Sequence, residues 1–297
     1  MRDIFFLTCG SFAVPAMFIE PRAALPPIGS VVRGLKAPRV AMSTMTNTVG
    51  VAVRDDGNVV LVDAGWSLDA CGEPARVIGR VQSTMMGMRT RPADTIVEQL
   101  ADLGIERRRV RTIVATHMHL DHVGGADDFP NAEVVSSDVE LSAFRTLGIR
   151  SGYRTGDLAR SGRLHPIHVN GAPTYGFPAS HDLFGDGEVV LLDAHGHTPG
   201  SLAVALRGRT KGGAHGPEHS YVHIGDAAYR SWEYGLSPSG PSLVARATAW
   251  RMDLQRETYK AIRACEVDPR RPVIVPSHDD AVFERLPHGP SEAASAA

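Results

Sequence analysis

The chain has 297 residues, 43% of them hydrophobic and 22% charged, with a formal net charge of -2. This is the composition of a folded globular protein with a sizeable core, and it gives no electrostatic case for a nucleic-acid or anionic-membrane partner. No run approaches the ~20 apolar residues of a membrane span. The three scattered cysteines, Cys9, Cys71 and Cys265, suggest neither a disulfide framework nor a CxxC metal site, which fits a reducing cytoplasm.

Ile4–Leu7 predicts a first strand. A faint likeness to a signal peptide over the same region is broken by Cys9-Gly10-Ser11 and Pro15, and its one Arg is offset by Asp3. Asn47–Val53 and Val59–Asp63 read as strands, with Asp55-Asp56-Gly57 as the hairpin turn between them. Thr95–Leu103 predicts a helix, begun by a Thr95/Glu98 capping box and ended by Gly104 at the C′ position. Strands Thr112–Ala115 and Glu133–Ser136 follow, then a helix over Ser137–Thr146. Strands Val189–Asp193, Leu202–Leu206 and Tyr221–Ile224, a long helix over Ala245–Ala264 and a last strand Val273–Pro276 complete the series. Most of these strands are short, β-branched and apolar, as buried strands are. The Gly-rich stretch Arg207–Ser220 reads as an exposed hairpin tip, and His288–Ala297 as a disordered tail. Strands in two groups with helices between them suggest an α/β layered sandwich. Residues 1–287 are expected to form one domain, because the candidate ligands described next run through most of the chain without a linker.

The densest chemistry is the run His117-Met118-His119-Leu120-Asp121-His122, directly after Thr112–Ala115. Alternation puts His117 and His119 on one side of an extended backbone. Asp121 and His122 follow where the strand gives way to a turn, ahead of Gly124-Gly125. Imidazoles and a carboxylate clustered at a strand end form a metal-binding set, large enough for two ions, and suit zinc and its first-row neighbours. Three more strand ends carry the same residue types. His197 lies in Gly196-His197-Thr198-Pro199-Gly200, Asp226 follows Tyr221–Ile224, and His278 follows Val273-Ile274-Val275. Alone, each reads as a surface or turn residue; with the first motif, they read as ligands.

The string H-x-H-x-D-H, the G-H-T-P-G loop, the G-D strand end and the late His together resemble the metallo-β-lactamase superfamily, over most of the chain from about Thr46 to His278. The resemblance implies a four-layer αβ/βα sandwich with the site at the sheet edges. It implies two divalent metal ions, zinc by preference. His117, His119 and His197 would hold the first, Asp121, His122 and His278 the second, and Asp226 would bridge them. Leu61-Val62-Asp63-Ala64-Gly65 also resembles a family element, in which the Asp supports the metal loops. That role is physically sensible, because a ligating His needs a partner for its other nitrogen.

Tyr229, three residues after Asp226, narrows the resemblance. The Asp-x-x-Tyr spacing is similar to that of the N-acyl homoserine lactonase family, as are the strand Ile4–Leu7 and the ending Ser277-His278-Asp279. This implies an enzyme acting on a small molecule, opening the ring of N-acyl homoserine lactones by attack of a metal-bridging hydroxide. Tyr229 would donate to the carbonyl oxygen, and Asp121 would carry the proton to the leaving alkoxide. Quorum quenching is what that family implies physiologically. The alternatives are another hydrolase of the superfamily, a thioesterase of the glyoxalase type or a phosphotriesterase, and a mononuclear-iron persulfide dioxygenase. The second ligand group, with His122 and His278, speaks against the dioxygenase. An acyl chain needs an apolar pocket. Met42–Met45 and Met85-Met86-Gly87-Met88 are candidates, ordinary packing being the equal alternative, and Trp66–Pro92 is long enough to form a lid. The other histidines receive no role, and the oligomeric state is left open.

Overall fold

The computed structural model describes residues 1–21, 42–80, 83, 90–148, 152–153, 158–209, 218–235 and 240–290. Among these residues the strands form two sheets. The first holds, in order, β1 (Asp3–Pro15), β2 (Met42–Val53), β3 (Val59–Val62), β4 (Val110–Val114), β5 (Glu133–Ser137) and β6 (Leu164–Ile167). Its first three strands are antiparallel and β3 to β6 run parallel. The second sheet holds, in spatial order, β11 (Val273–Pro276), β10 (Glu218–Gly225), β9 (Leu202–Arg209), β8 (Val189–Asp193) and β7 (Ser180–Asp182), with β10 and β11 parallel.

The strands alternate, and the alternation builds the layers. Leu61 and Ile113 face outward into a core with Leu100, Leu141 and Phe144 of the covering helices. Val60, Val62 and Val114 face the other way and meet Leu191, Val204, Leu206 and Val275 of the second sheet. Beyond that sheet, Leu192, Ala203, Val222 and Ile224 pack on Tyr259, Ile262 and Cys265 of the helix Met252–Glu266. The order is helix, sheet, sheet, helix: the four-layer αβ/βα sandwich that the resemblance implied.

Several local expectations are corrected. β1 is far longer than Ile4–Leu7, because its register shifts between Thr8 and Ser11 and the strand continues past the break. Gly10 supplies the positive φ (64°) there, and Pro15 sits at the strand's end. The Thr95/Glu98 capping box does not form: Thr95 Oγ1 donates to Pro92 O at 2.7 Å. Gly104 does end that helix, with φ 73° and its N–H on Ala101 O at 2.9 Å. The helix expected over Ala245–Ala264 is two helices, Leu243–Thr248 and Met252–Glu266. In the break between them, Trp250 and Arg251 donate their N–H groups to His197 O (2.8 Å) and Gly196 O (3.0 Å).

Trp66, Ala70, Cys71 and Ile78 of the expected lid are buried in the first core, while Asp69, Glu73 and Arg76 between them are exposed. Met45 is buried against Phe12, Ile19, Tyr229 and Ala245. Met85–Met88, most of the hairpin tip and most of the tail lie outside the described residues. All three cysteines are buried and free. No helix among the described residues is long and apolar enough to cross a membrane.

Candidate metal centre

The strand ends β3, β4, β8, β10 and β11 meet along one edge of the sandwich. Chain continuity then delivers Asp63, His117–His122, His197, Asp226 and His278 to one place. Gly225 makes the approach of Asp226 possible: its φ is 53°, and a Cβ there would lie 2.7 Å from Thr116 Oγ1. All seven sequence-predicted ligand residues are brought together, in three overlapping groups: His117, His119 and His197; His117, His122 and Asp226; Asp121, His122 and His278. Within each group the ligand atoms lie within 4.8 Å of one another.

Hydrogen bonds on the far side of the rings fix which nitrogen faces inward. His122 Nδ1 donates to Asp63 Oδ2 (2.8 Å), and His278 Nδ1 to Thr46 O (2.7 Å). Thr116 Oγ1 gives its own proton to Asp63 Oδ2 (2.9 Å), so His117 Nδ1 donates to Thr116 Oγ1 (3.1 Å). In the neutral ring that a metal would bind, a proton held at Nδ1 leaves the lone pair on Nε2. The Nε2 atoms of His117, His122 and His278, and Asp226 Oδ1, are buried without a hydrogen-bond partner in the structure. His278 Nε2 and His122 Nε2 approach Asp226 Oδ1 to 3.1 and 3.3 Å, without hydrogen-bond geometry. Several orphaned polar atoms converging on one point are expensive unless a ligand satisfies them. His119 Nδ1 and His197 Nε2 stand 3.2 Å apart, close to the roughly 3.4 Å that separates two nitrogens on one tetrahedral zinc with bonds of about 2.1 Å. The donor set fits divalent metal.

Charge separates the rings. Burial pushes His197 down to about 3, and burial with the neighbouring His122, His119 and His197 holds His117 well below its ordinary value. Burial also opposes charge on His122, but Asp226, Asp121 and Asp63 outweigh it and raise that ring well above the ordinary range. Burial would raise Asp226, yet His278 and His122 hold it well below the usual carboxylate range.

The metal-free protein should accordingly be acid-sensitive. The unfolded chain protonates His117 and His197 near 6.5, whereas the folded chain does not. Their stability contribution is complete above that value and is lost as pH falls toward the folded values, by at most about 1.4 kcal/mol per pH unit for each ring. His122 works the other way: raised in the fold, it favours the folded state more as pH falls from 7 through its unfolded value of 6.5, and so offsets part of the loss from the two depressed rings without reversing it. The urea midpoint of chelator-treated protein should be clearly lower at pH 5 than at pH 7. An unchanged midpoint would mean that these rings are already charged in the fold.

Asp63 sits where the resemblance placed it, and the role it implied matches its bonds to His122 and Thr116. Tyr229 is also at the centre. Its ring stacks on His278 (5.4 Å, 18°) and stands edge-on to His197 (5.9 Å). Its hydroxyl is bonded to Thr248 Oγ1 at 3.0 Å. Burial, with Asp226 nearby, raises this phenol well above its ordinary value, so it stays protonated. A cavity of about 360 Å³ opens between His119 and His197, walled by Leu147, Tyr153, Pro199, Ala249 and Trp250.

Sequence reasoning missed the residues that hold the ligand loops. Gln255 Nε2 donates to Ala227 O (3.0 Å), and Thr258 Oγ1 to His195 O (2.7 Å), tying the helix Met252–Glu266 to both loops. His223, left without a role, is buried with Nε2 on Thr48 O at 2.9 Å. Asn47 Nδ2 donates to Asp121 O. Glu140 is buried between the loops of His119 and His197. Its only sequence signal is the pattern Ser137-x-x-Glu140.

Residues 45–278 match the family model of the metallo-beta-lactamase superfamily. A protein of Mycobacterium tuberculosis named "Probable metallo-hydrolase" is 32% identical over 237 residues, 74% of this chain and 69% of its own. An N-acyl homoserine lactonase of Agrobacterium fabrum is 32% identical over a shorter stretch of 113 residues, 37% of this chain and 41% of that one. Among solved structures, an N-acyl homoserine lactone hydrolase with N-hexanoyl-L-homoserine bound at its catalytic metal center superposes with a TM-score of 0.67. That pair shares 18% identity over 96% of this chain and 98% of the other, which is a likeness of fold. With the family model covering most of its length and the ligand residues gathered at one sheet edge, this chain belongs to the metallo-β-lactamase superfamily, as a hydrolase with lactonases among its relatives.

Proposed function

We propose that this protein is a dinuclear metal-dependent lactonase that opens N-acyl homoserine lactones to the corresponding acyl-homoserines. The observation that carries the reading is the pair of ligand groups flanking Asp226, with the neutral phenol of Tyr229 lying against a ring from each. His117, His119 and His197 would hold one ion, and Asp121, His122 and His278 the other, with Asp226 between them. Two such ions, zinc on this ligand set, would supply a hydroxide nucleophile near neutral pH and stabilise charge on the reacting oxygens.

The chain's own groups do the rest. The apolar walls at Leu147, Pro199, Ala249 and Trp250 suit an acyl chain beside the centre. Thr248 Oγ1 gives its proton to Val244 O (2.9 Å), so at rest the Tyr229 hydroxyl donates to Thr248. With substrate present that proton turns to the carbonyl oxygen as it gains negative charge. The Asp121 carboxylate is part-exposed, 19%, at the rim of the centre. It takes the proton of the attacking hydroxide and passes it to the ring oxygen as the carbon–oxygen bond breaks.

The test is a panel on metal-replete protein: short- and long-chain N-acyl homoserine lactones, a simple γ-lactone, a thioester, a phosphotriester and a β-lactam. Acid release and a mass gain of one water are the readouts. Fast opening of acyl homoserine lactones is expected, with kcat falling about 10²-fold in Tyr229→Phe while bound metal is unchanged. Turnover of the thioester or phosphotriester with inert lactones would keep the hydrolase and discard the substrate.

A further inference from the structure

We propose that Glu140 is a positioning residue that locks together the two loops carrying His117, His119 and His197, so that this trio meets its ion preformed. The inference rests on metal binding by the trio and not on the identity of the substrate.

Glu140 stands at the third position of the helix Asp138–Leu147, whose N-cap Ser137 accepts from Glu140 N at 3.0 Å. That is half of a capping box, in which the glutamate would reach back to the N-cap amide. Here the carboxylate goes elsewhere. Oε1 accepts from Met118 N (2.9 Å) and from the Tyr153 hydroxyl (3.1 Å). Oε2 accepts from Thr198 Oγ1 (2.7 Å) and Gly200 N (3.2 Å). Met118 separates His117 from His119, and Thr198 follows His197. One buried carboxylate thus joins the end of β4 in the first sheet to the β8–β9 loop of the second. Ser137 Oγ strengthens the same joint by donating to Gly200 O (2.6 Å), at a spot where a Cβ on Gly200 would lie 2.3 Å from Glu140 N. The ring of Tyr153, held by Glu140, lies 5.4 Å from that of His119.

The residue type suits the task. A carboxylate accepts on both oxygens and donates on neither, and here four donors point at it. Glutamine would turn an NH₂ toward two of them. The other ligand group has different supports: Asp63 for His122, Thr46 O for His278 and Asn47 for the Asp121 backbone. The hydrogen bonds of Glu140 just described reach none of these. Its loss should therefore act on one ion and spare the other, which a general loss of stability would not do.

The test is metal binding by Glu140→Gln, with zinc alone as the probe, chelator competition to read the two affinities and melting temperature alongside. One ion should bind about ten- to a hundred-fold more weakly, as for other residues that orient ligands, and the other within two-fold of the parent protein. In a His278→Ala background, which cripples the second group, adding Glu140→Gln should weaken the remaining ion by the same factor. Two ions bound at parental affinity would overturn the proposal, as would equal weakening of both. If Glu140→Gln does not fold, Thr198→Val removes one donor from the joint and is judged by the same asymmetry. No substrate enters these measurements. A parent protein inert toward lactones would defeat the proposed reaction and leave this test intact.

Discussion

Asp226→Asn is expected to abolish hydrolysis and to strip metal from both ligand groups. Each carboxylate oxygen faces one group. Oδ2 lies 3.5 Å from His197 Nε2 and 3.9 Å from His117 Nε2, while Oδ1 lies 3.1 Å from His278 Nε2 and 3.3 Å from His122 Nε2. Asparagine turns one of these oxygens into an NH₂, which cannot ligate, and removes the negative charge at the middle of a cationic cluster. Metal ions supply several kcal/mol of transition-state stabilisation, and at about 1.4 kcal/mol per decade of rate their loss costs at least ~10³-fold. The substitution is nearly isosteric, so the chain should still fold. The metal-free state should also register the change, because Asp226 is the first of the three carboxylates that raise His122, and that ring should become easier to deprotonate. Bound zinc measured by mass spectrometry, hydrolysis of the best substrate of the panel and a melting curve as control decide the matter. Two retained ions with activity within ten-fold of the parent would remove Asp226 from its place between the groups.

How much of the molecule is legible in the sequence depends on how local each feature is. β8 and β11 were legible to the residue because they are buried runs of apolar, β-branched side chains, Val189–Asp193 and Val273–Pro276. β6 and β7 were not legible. Each lies at the outer edge of its sheet and is short, and His165-Pro166 and Ser180-His181-Asp182 carry no apolar run. The long helix was misread because Ala245–Ala264 has helix-forming composition throughout. What breaks it is the pull of His197 O and Gly196 O on two amides of the break, and that contact crosses more than fifty positions of chain. The residues that the fold gathers were legible for the opposite reason, since each follows closely on one of four strands, and strand ends in a layered sandwich share an edge. Their supports were not legible. Ser137-x-x-Glu140 looks like a local cap, and only the fold shows that its carboxylate faces the metal loops.

Asp63 offers the second large effect, and one that separates backbone strain from lost bonding. Its carboxylate is buried and accepts three hydrogen bonds, from Thr116 N (2.8 Å), Thr116 Oγ1 (2.9 Å) and His122 Nδ1 (2.8 Å). Its backbone is left-handed at φ 64°, a conformation that costs a residue with a Cβ roughly 1–2 kcal/mol and glycine almost nothing. Strain of this kind persists only where the surroundings over-determine it, and here Asp63 N is fixed on Val114 O and Ala64 N on His122 O. Asp63→Ala should destabilise the protein by about 3–5 kcal/mol, the usual result of removing one partner of a buried charged network. Asp63→Gly should recover the backbone part, roughly 1 kcal/mol, and nothing more, because the three donors remain unanswered. Asp63→Asn tolerates the positive φ and keeps one acceptor oxygen, so it should lie between them and the parent. Its NH₂, however, must face either Thr116 or His122. Urea denaturation of the metal-free variants gives the stability order, and chelator competition gives the ions. The ion held by Asp121, His122 and His278 should weaken in Asp63→Ala and Asp63→Gly, which lose the acceptor that orients His122, and less in Asp63→Asn, which keeps one acceptor oxygen. If Asp63→Gly instead proves as stable as the parent, the hydrogen bonds contribute little net free energy. The strain at Asp63 then outweighs them, and the left-handed turn exists to aim the chain rather than to hold the carboxylate.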